Sequence, residues 1–233
     1  MALHEKDQNQ VVIERAKDFW TRYNKVVTIG LAAIVLLVGG WFGYKKLYKE
    51  PREKKAIDAI YRAQELYQQA MFTDKTDSVA NLALKGSGTA PGFLKVIKDY
   101  SGTKTANLAK FYAGSCYVML NDNTNALKYL KDFSTDSKVI QAHAWKLLGD
   151  IYAEQGKNKE ALDEYKKAGR HFPENDVDSP EYLWLAAYFA EKVLNDQKQA
   201  IELYKELKHD YPDTQRGAEA DKYLARLGVL TSN

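Results

Sequence analysis

Residues 142–175 decide the fold of this 233-residue chain, and they read AHAWKLLGDIYAEQGKNKEALDEYKKAGRHFPEN. Their apolar spacing predicts two helices, each with one buried face. The buried residues are Trp145, Leu148 and Tyr152 on the first helix, and Ala161, Tyr165 and Ala168 on the second. The stretch Gly156-Lys157-Asn158 predicts the turn between them, and Pro173 ends the second helix. These residues are therefore interpreted as core rather than as a site.

The same stretch resembles a tetratricopeptide repeat at every signature position. That repeat requires Trp, Leu-Gly, Tyr, Ala, an aromatic residue and Pro in order within 34 residues. The chain supplies Trp145, Leu148-Gly149, Tyr152, Ala161, Tyr165 and Pro173. The resemblance implies an antiparallel helix pair, with Gly149 and Ala161 small where the two helices approach.

Two further units are found by shifting this pattern along the chain. A shift of 35 residues towards the N-terminus gives a unit at 107–141, in which Lys110 replaces the tryptophan. A shift of 39 residues towards the C-terminus gives a unit at 181–214, where Tyr188 and Glu191 replace the glycine and tyrosine. This degenerate first helix predicts altered packing at the joint between the last two units.

Two similar five-residue segments lie near the two ends of this set of units. Residues 99–103 (DYSGT) resemble residues 210–214 (DYPDT), and each precedes an alanine-containing helix. We expect a degenerate helical pair over 56–106, built from about 52–72 and 92–100, with 73–91 a short helix and a flexible loop. Residues 215–233 are predicted to form a capping helix and tail.

The repeats define the predicted fold class. It is all-α, with one N-terminal transmembrane helix followed by a solenoid of three to four helical hairpins and a capping helix. Helices that cannot bury their apolar faces alone stack into a right-handed solenoid with a concave groove.

Residues 26–44 (VVTIGLAAIVLLVGGWFGY) predict the transmembrane helix, because they contain no charge. Such a helix is about 28 Å long, close to the hydrocarbon thickness of a bilayer. Trp20 and Trp41 flank it as interfacial aromatic residues do. The apolar run ends without an Ala-x-Ala pattern, which argues against a cleavable signal peptide.

The segments flanking this span are basic. Residues 1–25 predict an amphipathic segment that lies at the membrane surface or runs into the span, and residues 45–55 a basic juxtamembrane linker. The twenty residues after the span carry seven Lys or Arg against five in the twenty before it. This bias leans towards a cytoplasmic C-terminus by too small a margin to decide, so the residues alone leave topology open.

Gly39 and Gly43 form a GxxxG pair within the span. Such a pair allows two transmembrane helices to approach closely, and it is the candidate transmembrane helix contact. The alternative is that glycine is simply common in membrane helices.

Composition argues against catalysis, metal binding and nucleic-acid binding. Residues 1–55 carry a net charge of +5 and the remainder −2, so no concentrated basic face for nucleic acid is predicted. Cys116 is the single cysteine, and the four histidines have no metal-ligand spacing. We therefore expect no enzyme activity, cofactor or metal.

The remaining candidate site is a peptide groove lined by the first helix of each repeat. It is predicted from Leu108, Phe111, Ser115 and Val118 in the first unit, His143, Lys146, Asp150 and Glu154 in the second, and Tyr182, Leu185, Phe189 and Lys192 in the third. An apolar and aromatic lining is typical of sites for an extended peptide or a partner helix.

The whole chain resembles the YfgM-type ancillary subunits of the bacterial Sec translocon. The matching features are Asn9-Gln10-Val11, Phe19-Trp20, Asn24-Lys25 and Gly39-Gly40-Trp41, together with a tethered repeat domain. The resemblance implies a single-pass inner-membrane protein with a cytoplasmic N-terminus and a periplasmic repeat domain. It also implies translocon subunits, a membrane-anchored chaperone such as PpiD and exported polypeptides as partners.

Three functional hypotheses follow. The first is a membrane-tethered scaffold that binds exported polypeptides beside the translocon. The second is a structural subunit of an envelope complex, and the third is a cytoplasm-facing peptide receptor. The residues alone leave open whether a client, the chain's own segment 73–91 or nothing fills the groove.

Overall fold

The computed structural model describes residues 2–229, with side chains described from residue 10 onward. The helices are α1 (Ala2–Tyr44), α2 (Glu50–Met71), α3 (Thr76–Lys85), α4 (Phe93–Asp99), α5 (Lys104–Met119), α6 (Asn123–Lys131), α7 (Lys138–Glu154), α8 (Asn158–Arg170), α9 (Asp178–Lys192), α10 (Gln197–Asp210) and α11 (Gln215–Arg226). A π-helical segment, Lys45–Lys49, lies between α1 and α2, and two short strands, β1 (Gly86–Ser87) and β2 (Ala90–Pro91), pair antiparallel. The all-α, repeat-containing fold predicted from the sequence is confirmed.

The chain divides into two compact units between Arg52 and Glu53. The N-terminal unit contains α1, whose apolar residues are exposed along the whole stretch 26–44 apart from two half-buried positions. Judged by length and composition, this helix could cross a membrane. Residues 45–55, predicted as a basic linker, are helical.

The C-terminal unit is a stack of helices in which each helix from α5 to α11 packs against the next. α5 also contacts α7, and α9 contacts α11, so the first helices of neighbouring repeats lie side by side. This arrangement follows from the one-sided apolar faces, which each helix buries against the helices before and after it.

Buried residues form three clusters along this unit. The first joins α2–α5 around Tyr67, Leu84 and Phe93, and the second joins α5–α7 around Phe111, Leu130 and Ile151. The third joins α8–α11 around Tyr165, Leu183 and Tyr204. Each cluster spans a joint between repeats, so packing between repeats supplies the core.

The turn inside each repeat uses one residue with a positive φ. This residue is Asn121 (56°), Gly156 (71°) or Asn195 (53°). Glycine adopts this conformation without strain, and asparagine tolerates it better than other residues because its side chain bonds locally. In the first two turns a backbone N–H then bonds a carbonyl five residues back, Asp122 to Tyr117 and Lys157 to Tyr152, both at 2.9 Å.

The third repeat contains one extra residue before its turn. Here the N–H of Asp196 bonds the carbonyl of Ala190, six residues back, at 2.9 Å. Fully buried Ala187 joins the core cluster of Tyr204, whereas the neighbouring Tyr188 is 39% exposed. The apparent loss of the signature glycine at Tyr188 therefore reflects a one-residue offset, with Ala187 the small residue in the core.

The two short sequence echoes form the same structure. The Thr103 and Thr214 hydroxyls cap α5 and α11 by accepting hydrogen bonds from the N–H groups of Ala106 (3.0 Å) and Gly217 (3.1 Å). Each hydroxyl also donates to the carbonyl of a preceding tyrosine, Tyr100 at 2.7 Å and Tyr211 at 2.9 Å. Both segments therefore end one helix and start the next.

The short helix predicted within segment 73–91 is present as α3, and only the predicted flexible loop differs. Helix α3 buries Val79, Ala80, Ala83 and Leu84, and a two-residue strand pair replaces the loop. Gly92 is required here because a Cβ atom would lie 2.3 Å from the Leu84 carbonyl oxygen. Since the apolar side chains of α3 belong to the first core cluster, this helix does not fill the predicted groove.

Candidate functional site

The twelve predicted groove residues lie on α5, α7 and α9, but their exposure differs widely. His143, Glu154 and Lys192 are exposed. Half-buried positions are Leu108, Val118, Lys146, Asp150, Tyr182 and Leu185. Phe111, Ser115 and Phe189 are buried, with at most 7% of each exposed.

The buried members of this set hold the repeats together. The Phe111 ring lies 5.5 Å from the Phe133 ring and 5.7 Å from the His143 ring, the latter edge-on. Phe189 meets the Tyr165 ring edge-on at 5.4 Å, and the Ser115 hydroxyl donates to the Phe111 carbonyl at 2.9 Å. These side chains therefore form the floor beneath the surface rather than the surface that a partner touches.

Each oxygen of the half-buried Asp150 carboxylate accepts a hydrogen bond from its own repeat. Lys146 donates to Oδ2 at 2.7 Å, and the Tyr165 hydroxyl donates to Oδ1 at 3.0 Å. Burial and the Asp150 charge both raise the pKa of Tyr165, so its hydroxyl stays protonated and available as a donor. This network joins α7 to α8 and fixes the Asp150 side chain.

His143 and Tyr182 differ from the charged groove residues because their polar atoms are not engaged by the rest of the described chain. Within the described part of the chain, neither the His143 ring nor the Tyr182 hydroxyl has a hydrogen-bond partner. Desolvation by the surrounding helices lowers the pKa of His143, helped by Lys146 and opposed by Asp178 and Asp150. The imidazole is therefore neutral at pH 7, with one donor and one acceptor.

Tyr182 lies where α9 faces the negative charges of the groove. Burial raises its pKa to about 12, with further contributions from Asp178 and Asp150. Sequence reasoning missed Asp178, which sits in the first turn of α9 and accepts a hydrogen bond from Asn175 at 2.9 Å. Its only sequence signal is its place at the end of the acidic loop before α9.

The outer members of the set make single contacts near the helix ends. Glu154 accepts a hydrogen bond from the Asn123 amide at 2.7 Å, and Lys192 pairs with Glu191 at 2.8 Å. Leu108 lines a cleft of about 560 Å³ between the start of α5 and the loop after α6, together with Phe133 and Ile140. The geometry thus brings His143, Lys146, Asp150 and Tyr182 together on α7 and α9, and leaves Leu108 in a separate cleft.

Gly39 and Gly43 lie on the apolar helix α1. No atom outside the helix backbone lies within 4 Å of a Cβ built on either glycine. In the described N-terminal unit they are therefore uncovered, as a helix-contact surface requires.

Chemistry at a catalytic centre has little support in the described residues. No group of three His, Cys, Asp or Glu side chains there could hold a metal ion. Burial raises the pKa of the Cys116 thiol to about 12, which keeps it protonated and unreactive at neutral pH. The arrangement is suited to binding by hydrogen bonds and ring contacts.

Stacked helical hairpins with the repeat signature define a repeat protein of the protein-binding class. A family model described as a tetratricopeptide repeat-like domain matches residues 17–139, and tetratricopeptide repeat models match residues 142–175 and 181–214. The chain belongs to the tetratricopeptide repeat-like domain family. Tetratricopeptide repeat domains typically bind proteins and act as non-enzymatic scaffolds. No curated protein and no solved structure matches the chain.

Proposed function

We propose that this protein is a non-enzymatic, membrane-tethered scaffold that binds extended segments of exported polypeptides on α7 and α9. The observation that carries the proposal is the pair His143 and Tyr182, whose polar atoms lack partners within the described residues. Beside them lies the Lys146–Asp150 ion pair, at 2.7 Å. Neutral donors and acceptors on an aromatic floor suit a peptide backbone, which offers one donor and one acceptor per residue.

The choice of groove variants follows from burial. Phe111→Asp or Phe189→Asp would place a charge among side chains that are at most 7% exposed, and would unfold the repeats rather than test binding. His143→Ala removes an exposed imidazole and its ring contact with Phe111, and Tyr182→Phe removes a single hydroxyl, so neither variant places a charge in the core. A matched control is His209→Ala with Tyr61→Phe, since the His209 side chain is 88% exposed and Tyr61 is 64% exposed.

The test is site-specific photocrosslinking in membranes that are translocating a secretory polypeptide. A photoreactive phenylalanine analogue at Tyr182 should crosslink to the polypeptide, and the same analogue at Tyr61 should not. Adding His143→Ala should weaken the crosslink from position 182. Equal crosslinking from both positions would overturn the peptide-groove proposal, and crosslinks confined to integral membrane subunits would favour a structural subunit.

We also propose that the protein works beside the Sec translocon and a membrane-anchored chaperone, with α1 as a single inner-membrane anchor. The support is the resemblance of residues 9–44 to the YfgM-type subunits and the exposed apolar stretch 26–44. The cytoplasmic N-terminus and periplasmic repeats follow from the same resemblance. We expect residues 56–233 to be protected from added protease until the outer barrier of the cell is opened.

A cytoplasm-facing peptide receptor is the second candidate. The observation in its favour is the greater number of Lys and Arg residues after the span, seven against five before it. Cleavage of the repeats only after the inner membrane is opened would support this candidate and exclude the translocon-side scaffold.

A further inference from the structure

The last turn of the apolar helix is followed by a cluster of lysines. Residues 45–49 read KKLYK and contain three lysines without an acidic residue. All three are exposed, and within the described residues none of them makes an ion pair with a carboxylate. We refer to Lys45, Lys46 and Lys49 as the exit lysines.

Two of the exit lysines fold back towards the apolar span. The Lys45 ammonium lies 5.5 Å from the centroid of the Trp41 ring, and the Lys46 ammonium lies 5.9 Å from the Phe42 ring. Each cation therefore sits over the aromatic residue four positions earlier, since helical side chains point towards the N-terminus. Tryptophan at the end of a span marks the level of the lipid headgroups, so these ammoniums lie at headgroup depth.

The next turn repeats this arrangement. The Tyr44 and Tyr48 rings stack at 5.4 Å, and Arg52 lies over the Tyr48 ring at 5.7 Å and donates to its hydroxyl at 2.6 Å. An aromatic ring carries no net charge, so these contacts hold Lys45 and Lys46 along the helix without neutralising them. The result is a surface of ordered positive charge beside an aromatic belt.

We propose that the exit lysines bind the headgroups of anionic phospholipids. Charge complementarity is the argument, because three exposed ammoniums without carboxylate partners in the described residues, two of them held over aromatic rings at the end of the span, favour a lipid with a net negative charge over a zwitterionic one. The inference rests on the proposed membrane anchor but not on its topology. It concerns residues 41–52 alone and is independent of the peptide groove.

The test uses the full-length protein reconstituted in phosphatidylcholine vesicles with spin-labelled phosphatidylglycerol or spin-labelled phosphatidylcholine as probe. Electron paramagnetic resonance measures the relative association of each probe with the protein. We expect up to about a fivefold preference for phosphatidylglycerol, the factor contributed by a single lysine near the surface. Because 1 M salt shortens the Debye length to about 3 Å, it should abolish that preference.

Two triple variants decide whether the site is local. Lys45→Gln/Lys46→Gln/Lys49→Gln should reduce the preference to near one. Lys198→Gln/Lys205→Gln/Lys222→Gln removes three charges from exposed positions of the C-terminal unit and should leave it unchanged. Equal association of both probes with the wild-type protein, or an equal loss in both variants, would overturn the proposal.

A second measurement distinguishes failure of the membrane anchor from failure of the lipid site. Alkaline carbonate extraction of the phosphatidylcholine vesicles reports whether the wild-type protein is inserted. Extraction into the supernatant would refute both the anchor and the lipid site. Retention in the vesicles with no lipid preference would refute the lipid site alone. Inorganic phosphate at the probe concentration should not reduce the preference, and loss of the preference in phosphate would indicate a site for free anions.

Discussion

The Tyr165 ring occupies the space that a side chain at Gly149 would need. A Cβ atom built on Gly149 would lie 2.5 Å from Cε1 and 2.6 Å from Cδ1 of that ring. The close approach of α7 and α8 therefore depends on glycine, and it brings the Tyr165 hydroxyl to Asp150 at 3.0 Å. The signature glycine and tyrosine of this repeat act as one packing unit.

Gly149→Ala should consequently destabilise the protein although alanine favours helix. Overpacking against a buried ring costs about 1–3 kcal/mol, and the better helix propensity of alanine returns about 1 kcal/mol. We expect a net loss of up to about 2 kcal/mol, measured by thermal unfolding followed by circular dichroism in detergent. In a Tyr165→Leu background the same substitution should be neutral or stabilising, and an unchanged cost there would exclude the ring as the cause.

Substitutions at Gly156 test whether the turns inside the three repeats are equivalent. Its φ of 71° matches those of Asn121 and Asn195, and no atom lies within 4 Å of its Cβ position. Gly156→Asn should change the free energy of unfolding by less than about 0.5 kcal/mol, since asparagine tolerates this conformation. Gly156→Val should cost about 1–2 kcal/mol because a branched side chain does not. Equal melting temperatures for both variants would contradict this account.

The repeat at 142–175 could be predicted because its determinants are local. Helix faces, turn and signature residues all fall within 34 residues, so each can be identified from spacing alone. The third repeat is harder to predict from the sequence because it contains one extra residue before Asn195. That residue moves the small core position from Tyr188 to Ala187. A rigid alignment of sequence does not detect an offset that arises inside a helix.

The exposure of the groove residues could not be predicted from the sequence. Position in the repeat places Phe111 and Phe189 on the groove side, but exposure depends on which side chains of other helices cover them, such as Phe133 and Tyr165. Likewise, nothing in the local pattern links Asp178 to the charges around Tyr182. Contacts between residues far apart in sequence decide such details.

One such contact joins the start of α2 to the start of α5. The Glu53 carboxylate accepts hydrogen bonds from the N–H groups of Lys104 (2.7 Å) and Thr105 (2.8 Å) and from the Thr105 hydroxyl (2.6 Å). It thereby satisfies helix N–H groups that have no partner within α5, at the positive end of the helix dipole.

Glu53→Gln should therefore lower the free energy of unfolding by about 1.5–3 kcal/mol, the usual value for hydrogen bonds to a charged group. The measurement is the shift of the thermal midpoint in detergent at pH 7. Glu65→Gln is the matched control on the same helix, since Glu65 pairs with Arg62 at 2.8 Å on the exposed surface. That exposed pair should contribute less than about 0.5 kcal/mol, and an equal loss in both variants would argue against the cap.

The Glu191 carboxylate gives the stability of the last joint a defined pH dependence. Only 6% of this side chain is exposed, and Arg226, Lys192 and the Tyr204 hydroxyl all donate to it. Burial raises its pKa, but the hydrogen bonds from Lys192, Arg226 and Tyr204 outweigh burial, so the pKa is lowered from 4.5. A group with a lowered pKa in the folded state stabilises the protein above its unfolded value and loses that contribution as the pH falls through the folded value.

Arg226→Gln should remove part of this stabilisation, with a loss of about 1–2 kcal/mol at pH 7, because it takes one charged donor from a buried carboxylate while others remain. The difference between wild type and variant should shrink as the pH falls below 4.5 towards the lowered folded-state pKa of Glu191, and it should vanish once the folded protein binds that proton. Unfolding midpoints at several pH values between 7 and 3 measure this difference.

The matched control is Lys138→Gln, which breaks an exposed pair with Glu174 at 3.4 Å and should cost less than about 0.5 kcal/mol at pH 7. A difference for Arg226→Gln that stays constant across this range would show that the arginine stabilises the joint by packing on Tyr223, 5.1 Å from its ring, rather than through its charge.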